Sequence, residues 1–134
     1  MNGAESATLS VSDADGTQTA TLRGTGIGAA LAPGVLVFAA QHGATTSAAK
    51  TLTLTNYLAS SLAITSVTLG GANPGDFKVQ GSSTCPYLTG SLGGNSSCTY
   101  NITFTPSLIG AESATLSVTD ADGTQVATLK GTGR

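Results

Sequence analysis

Hydrophobic and polar residues alternate along most of the chain, with the period of two that puts successive side chains on opposite faces of a β-strand. In "ATLSV" (114–118) Ala114, Leu116 and Val118 share one face, and in "VATLK" (126–130) Ala127 and Leu129 do. "KTLTLTN" (50–56) sets Leu52 and Leu54 against threonines, and "CTYNITFTP" (98–106) sets Cys98, Tyr100, Ile102 and Phe104 on one side, with Pro106 ending the run. "LAITSVTL" (62–69) starts with Leu62 and Ile64 in phase and then changes parity to Val67 and Leu69, which predicts a bulge near Thr65 and Ser66. "VLVFA" (35–39) and the short "DFKVQ" (76–80) complete the set, the latter as an edge strand on which Lys78 discourages further pairing. No segment carries a helical period. About seven strands with closely spaced turns predict an all-β, immunoglobulin-like β-sandwich.

A repeat organises the chain. "GAESATLSVSDADGTQTATLRGTG" (3–26) returns as "GAESATLSVTDADGTQVATLKGTG" (110–133), an offset of 107 residues from Glu5 to Glu112. That is about the size of one sandwich domain, so the first copy reads as the last hairpin of a preceding repeat. Three paired positions differ: Ser12 and Thr119, Thr19 and Val126, Arg23 and Lys130. Alternation sends all three outward, so both copies keep the same inward face. The expected organisation is a hairpin of the previous repeat over 1–26, a Gly- and Pro-containing linker over 27–34, and a sandwich over 35–134.

Each copy turns at Asp-Ala-Asp-Gly, where glycine supplies the positive φ of a hairpin turn. The same string suggests a calcium loop, but the remaining oxygen ligands and the distal glutamate of such a loop are missing at the required spacing, and a plain turn is the preferred reading. No metal or other cofactor is expected.

Composition narrows the functions. Of 134 residues, 9 % are charged, the net charge is −2 and the five basic residues are scattered, which excludes the basic stripe that nucleic-acid backbones need. No run of apolar residues is long enough for a membrane helix, so no membrane insertion is expected. His42 is the single histidine, and in "QHGATTS" it reads as a solvated turn residue rather than a general base. Four of the seven acidic residues, Asp13, Asp15, Asp120 and Asp122, sit in the two turns, where no cleft holds a carboxylate pair. Catalysis is therefore not expected. Cys85 and Cys98 are the only cysteines; a disulfide is favoured over two free thiols and would place the chain outside the reducing cytosol, extracellular or at the cell surface.

The stretches "FAAQHGATTSAAKTLTLTNYLASSLAITSVTLGGANPGDFKV" and "TC…LGGNSSCTYNITFTPSLIGAESATLSVTDADGTQVATLKGTG" resemble the bacterial choice-of-anchor D and Hydin-like (ASH) immunoglobulin-like domains over about residues 31–133. "GANPGDF", the F-T-P ending at Pro106, the paired cysteines and the closing "LKGTG" carry the resemblance. It implies a seven-stranded sandwich, tandem arrays on large secreted or surface proteins, and a structural or interaction role without catalysis.

The functional expectation is a non-catalytic structural or adhesive repeat whose partner is itself, as a homo-oligomer or as neighbouring repeats. Leu9, Val11 and Leu22 would serve as an assembly face able to take the place of Leu116, Val118 and Leu129 in a neighbour and to build head-to-tail fibres. The alternative is a carbohydrate-binding accessory module of a secreted enzyme, using Tyr57 and Tyr87, with a surface glycan or protein as partner. The threonine rows at 51, 53, 55 and at 99, 103, 105 read as ordinary solvent faces of strands. Asn95 and Asn101 fit the glycosylation sequon, which matters only in a eukaryotic secretory host.

Overall fold

The computed structural model describes residues 3–26 and 28–134, with side chains for 5–22 and 28–134. The first copy of the repeat forms β1 (Gly3–Asp13) and β2 (Gly16–Gly26), a separate two-stranded antiparallel sheet. The rest builds a β-sandwich from β3 (Ala29–Ala32), β4 (Val35–Val37), β5 (Lys50–Asn56), β6 (Leu62–Gly70), β7 (Phe77–Val79), β8 (Gly90–Leu92), β9 (Ser97–Phe104), β10 (Gly110–Asp120) and β11 (Gly123–Gly133). One sheet runs β4-β11-β10-β6-β8 and the other β3-β5-β9-β7.

Alternation places the apolar residues between the sheets. Leu52, Leu54, Tyr100, Ile102 and Phe104 come from one layer and Leu62, Ile64, Leu116, Val118 and Leu129 from the other, all essentially inaccessible. Phe38, Phe77 and Phe104 cluster at one end, with ring centroids 4.9 to 5.9 Å apart. Gly131 lies over Phe104, so close that an added Cβ would collide with the ring. The parity change in β6 is a bulge: Thr119 pairs with Ser66 and Asp120 with Ile64, which leaves Thr65 unmatched and lets Ile64 and Val67 both face the core. β7 is an edge strand with Lys78 exposed.

Two segments depart from the sequence reading. The stretch 27–34, read as a linker, holds β3, which pairs with β5 from Ala29↔Asn56 to Ala32↔Thr53; its small residues conceal the alternation, with Ala29 buried and Leu31 packed on the core. Gly90–Leu92 forms β8 against β6, too short to carry a period of its own. Asp76 belongs to a 3-10 turn (Pro74–Asp76), and β7 begins after it.

Cys85 and Cys98 form a disulfide across 13 positions of sequence. Replacing both with serine removes a constraint on the unfolded chain of about 3 kcal/mol, an expected loss to be read by denaturant unfolding of the oxidised protein and the double variant.

Candidate functional site

The two copies of the repeat fold alike and meet different surroundings. Both are antiparallel hairpins in the same register, Ala7↔Leu22 and Leu9↔Ala20 in one, Ala114↔Leu129 and Leu116↔Ala127 in the other. The turns match: the Asp13 carboxylate accepts the Asp15 amide at 2.8 Å, Asp120 accepts that of Asp122 at 2.8 Å, and Gly16 and Gly123 take positive φ. Among the described residues no group of three or more His, Cys, Asp or Glu could hold a metal ion.

Packing separates them. Leu116, Val118 and Leu129 are 0 % exposed, whereas Leu9, Val11 and Leu22 are 55, 53 and 51 % exposed. Every described side chain from 5 to 22 is exposed. The hairpin 3–26 thus presents an amphipathic face whose exact twin lies in a core, and both of its outer edges lack a ladder partner among the described residues.

The slot that holds the second hairpin has polar fastenings as well as an apolar floor. β10 pairs with β6, and β11 runs parallel to β4. At the start of β10, Asn73 donates its amide to the Ser113 carbonyl at 2.8 Å and accepts the Ser113 amide on Oδ1 at 3.1 Å. Glu112, 3 % exposed, accepts the Leu108 amide on Oε1 at 3.2 Å, and its Oε2 has no other partner. Burial pushes the Glu112 carboxyl above its ordinary value, and a side-chain hydrogen bond with Asp76 pushes it further. Asp76 in turn accepts the Ser107 hydroxyl at 3.0 Å. The two acidic side chains thus come together where the 3-10 turn meets β10. At the far end Thr65 donates its hydroxyl to the Thr119 carbonyl at 3.1 Å and Ala121 its amide to Ala63 at 3.1 Å. Sequence reading missed the fastenings because Asn73 and Asp76 are remote from the hairpin in the chain; a glutamate on the inward parity of β10 was the available signal.

The slot's geometry also fixes where the chain enters and leaves. The Tyr57 amide donates to the Gly28 carbonyl at 2.9 Å, and Gly28 sits against the Asp122 side chain, so the chain enters at the pole of the β10–β11 turn. β11 then runs 11 residues to the opposite pole, a path of about 33 Å. There the Arg134 amide donates to the Gln41 carbonyl at 2.9 Å, the Arg134 carbonyl accepts the Gly43 amide at 3.2 Å, and Gly133 packs against Pro106 and Leu108. The hairpin 3–26 cannot fill its own body's slot while β3 is in place: Gly26 would have to occupy the exit pole, and the two steps to Gly28 span at most about 7 Å.

The other candidates fall out as follows. His42 is an exposed turn residue whose carbonyl accepts the Thr45 amide. Tyr57 and Tyr87 are exposed, while Tyr100 is buried, donates to the Pro86 carbonyl at 2.9 Å and is pushed by burial to a pKa of about 12. The threonine rows are not a bare hydroxyl surface: Thr51 bonds Asn101, Thr55 bonds Ser97, and Thr103 is buried beneath Gln80. A surface hollow of about 420 Å³ is lined by Val37, Phe38, Lys130 and Thr132 with Glu112 and Ser113 at the start of β10. No helix among the described residues is long and apolar enough to cross a membrane.

No family model and no curated protein matches this sequence. Solved structures do match in fold. The chain is similar to an ASH/PapD-like domain of human CEP192 (domain 7) at 14 % identity, with a TM-score of 0.59, covering 80 % of this chain and 85 % of that one. It is also similar to the periplasmic chaperone SfaE at 17 % identity, with a TM-score of 0.54, over 80 % of this chain and 57 % of that one. The VesB protease of Vibrio cholerae, at 22 % identity and a TM-score of 0.51, matches 79 % of this chain through 31 % of its own length. The fold is therefore immunoglobulin-like, of the ASH/PapD-like type.

Protonated Glu112 favours the folded state, so its contribution is complete below the ordinary carboxylate range and is lost as the pH rises through its raised folded value. Glu112→Gln, which keeps an acceptor for Leu108, is expected to flatten the fall in stability as the pH rises above the ordinary carboxylate range and to leave the variant the more stable at neutral pH. Urea melts of both proteins across that range check this.

Proposed function

We propose that the chain is a non-catalytic structural or adhesive module of an extracellular linear array. The single observation that carries this reading is the entry of the chain at one pole of the sandwich and its exit at the other. Units joined in that way, at the period set by the repeat, extend rather than fold back. The body suits load: β3 and β4 run in the same sense as β11, so tension between Gly28 and Arg134 draws them in opposite directions along their length. The parallel run from Gly34 to Gly43 against Thr128 to Arg134 is then strained together, through bonds such as Phe38 to Lys130 at 2.8 Å and Gln41 to Thr132 at 2.9 Å. The disulfide supports an oxidising compartment.

The exposed Tyr57 and Tyr87 support a second reading, an accessory module that docks on carbohydrate. A glycan screen with Tyr57→Ala and Tyr87→Ala separates the two: sugar binding that depends on these rings favours the second reading, and none removes it.

The array reading is tested by small-angle scattering from proteins in which residues 27–133 are repeated one, two, three and four times. The maximum dimension is expected to grow by a constant increment of roughly 35 Å per unit, the length of the longest strands. A dimension that levels off as units collapse onto one another would remove the reading.

A further inference from the structure

The array reading does not by itself say what the hairpin 3–26 packs against, and its residues say what place it fits. Inside the body, the side chains of the closing hairpin that meet the rest of the sandwich are Glu112, Ala114, Leu116, Val118, Ala127 and Leu129, all buried. Their counterparts Glu5, Ala7, Leu9, Val11, Ala20 and Leu22 are identical. The differing positions whose side chains are described lie off that interface: Val126 and Lys130 are exposed, and Ser12 bonds Thr17 within the hairpin as Thr119 bonds Thr124. An amphipathic hairpin made for any apolar surface would have no use for a glutamate on its inward face. In the body that glutamate has a use, because Leu108 and Asp76 receive it.

The occupied slot of a complete second copy is a poor recipient. Each chain holds two hairpins and one slot, so exchange between complete copies frees one identical apolar face for each face it covers and gains almost nothing. The chain's own slot is excluded by the distance from Gly26 to Gly28. The remaining recipient is a body that lacks its own closing hairpin.

Resting on the array reading, we propose that residues 3–26 are the closing hairpin of a different body, one built like residues 28–109 and open between its counterparts of β4 and β6. There Glu5 and Ser6 enter a clasp like that of Asp76, Leu108 and Asn73, and Leu9, Val11 and Leu22 take the core positions of Leu116, Val118 and Leu129. In an array this makes each unit's last two strands the covalent bridge to the next unit.

An open body is obtained from the full chain by Leu116→Lys with Leu129→Lys, which spoils its own closing hairpin and leaves the first hairpin intact. Refolded at increasing concentration, this variant is expected to recover β-sheet signal as oligomers seen by light scattering, and further Leu9→Lys with Leu22→Lys should abolish the recovery. Position is read by refolding the open body carrying Asn73→Cys with an excess of otherwise unaltered chain carrying Ser6→Cys. A disulfide joining positions 6 and 73 between chains is expected, and Asn73→Cys with Ser113→Cys in one chain shows that the geometry permits it. If that control closes and no bond forms between chains, the proposal is overturned, whether the open body stays unfolded or associates by another route. Constant growth of the repeated protein in scattering would still leave the array reading standing, so the two failures are distinguishable.

Discussion

A two-stranded sheet has no second layer of its own, so an amphipathic hairpin can bury its apolar face only against something else. The sandwich depends on that constraint being met at β10 and β11. These strands occupy the middle of the five-stranded sheet, and their inward residues complete a core whose other half comes from Leu52, Leu54, Tyr100 and Ile102. Taking the hairpin away uncovers both sheets at once. The same strands end at the far pole, so the element that closes the core also fixes where the chain leaves the body.

The pole at which the chain enters is rigid for polar reasons. Asn56, fully buried, donates to the carbonyls of Ser60, Leu92 and Gly93 and accepts the Leu58 amide, tying β5, the following loop and β8 into one knot. Gly94 passes so near the Ala59 carbonyl that no Cβ fits there. The exit pole is held by the Phe38, Phe77 and Phe104 cluster and by the Glu112 and Asp76 pair. Fully satisfied buried amides with packed rings fix the direction of both ends better than surface ion pairs, which are worth little.

Much of this was legible in the residues. The alternation in 50–56, 98–106 and 110–133 located the core strands, and the parity change in 62–69 located the bulge, because a half-buried strand records its faces directly. β3 and β8 were hidden: Ala29–Ala32 is built of small residues, and Gly90–Leu92 spans too few positions for a period. The polar clasp was hidden for a different reason, since Asn73 and Ser113 are far apart in sequence and meet only after β6 has paired with β10. The repeat was plain in the sequence, yet its meaning was not. Identical residues give identical hairpins, and nothing local tells Leu9 from Leu116.

That equivalence shows which level of structure decides the fate of a segment. Strand pairing, turn chemistry and the amphipathic face are local, and both copies possess them in full. Burial is not local: it follows from whether the edges of β4 and β6 are within reach of the hairpin, and the two steps between Gly26 and Gly28 place them out of reach for the first copy. The hairpin therefore keeps, exposed, an apolar face and two open ladder edges, the combination that sheets elsewhere protect with charges or bulges. With 9 % charged residues in the chain, few such protections are present. A surface of that kind is tolerable when a recipient of matching shape is close at hand, and a linear array supplies one at every junction.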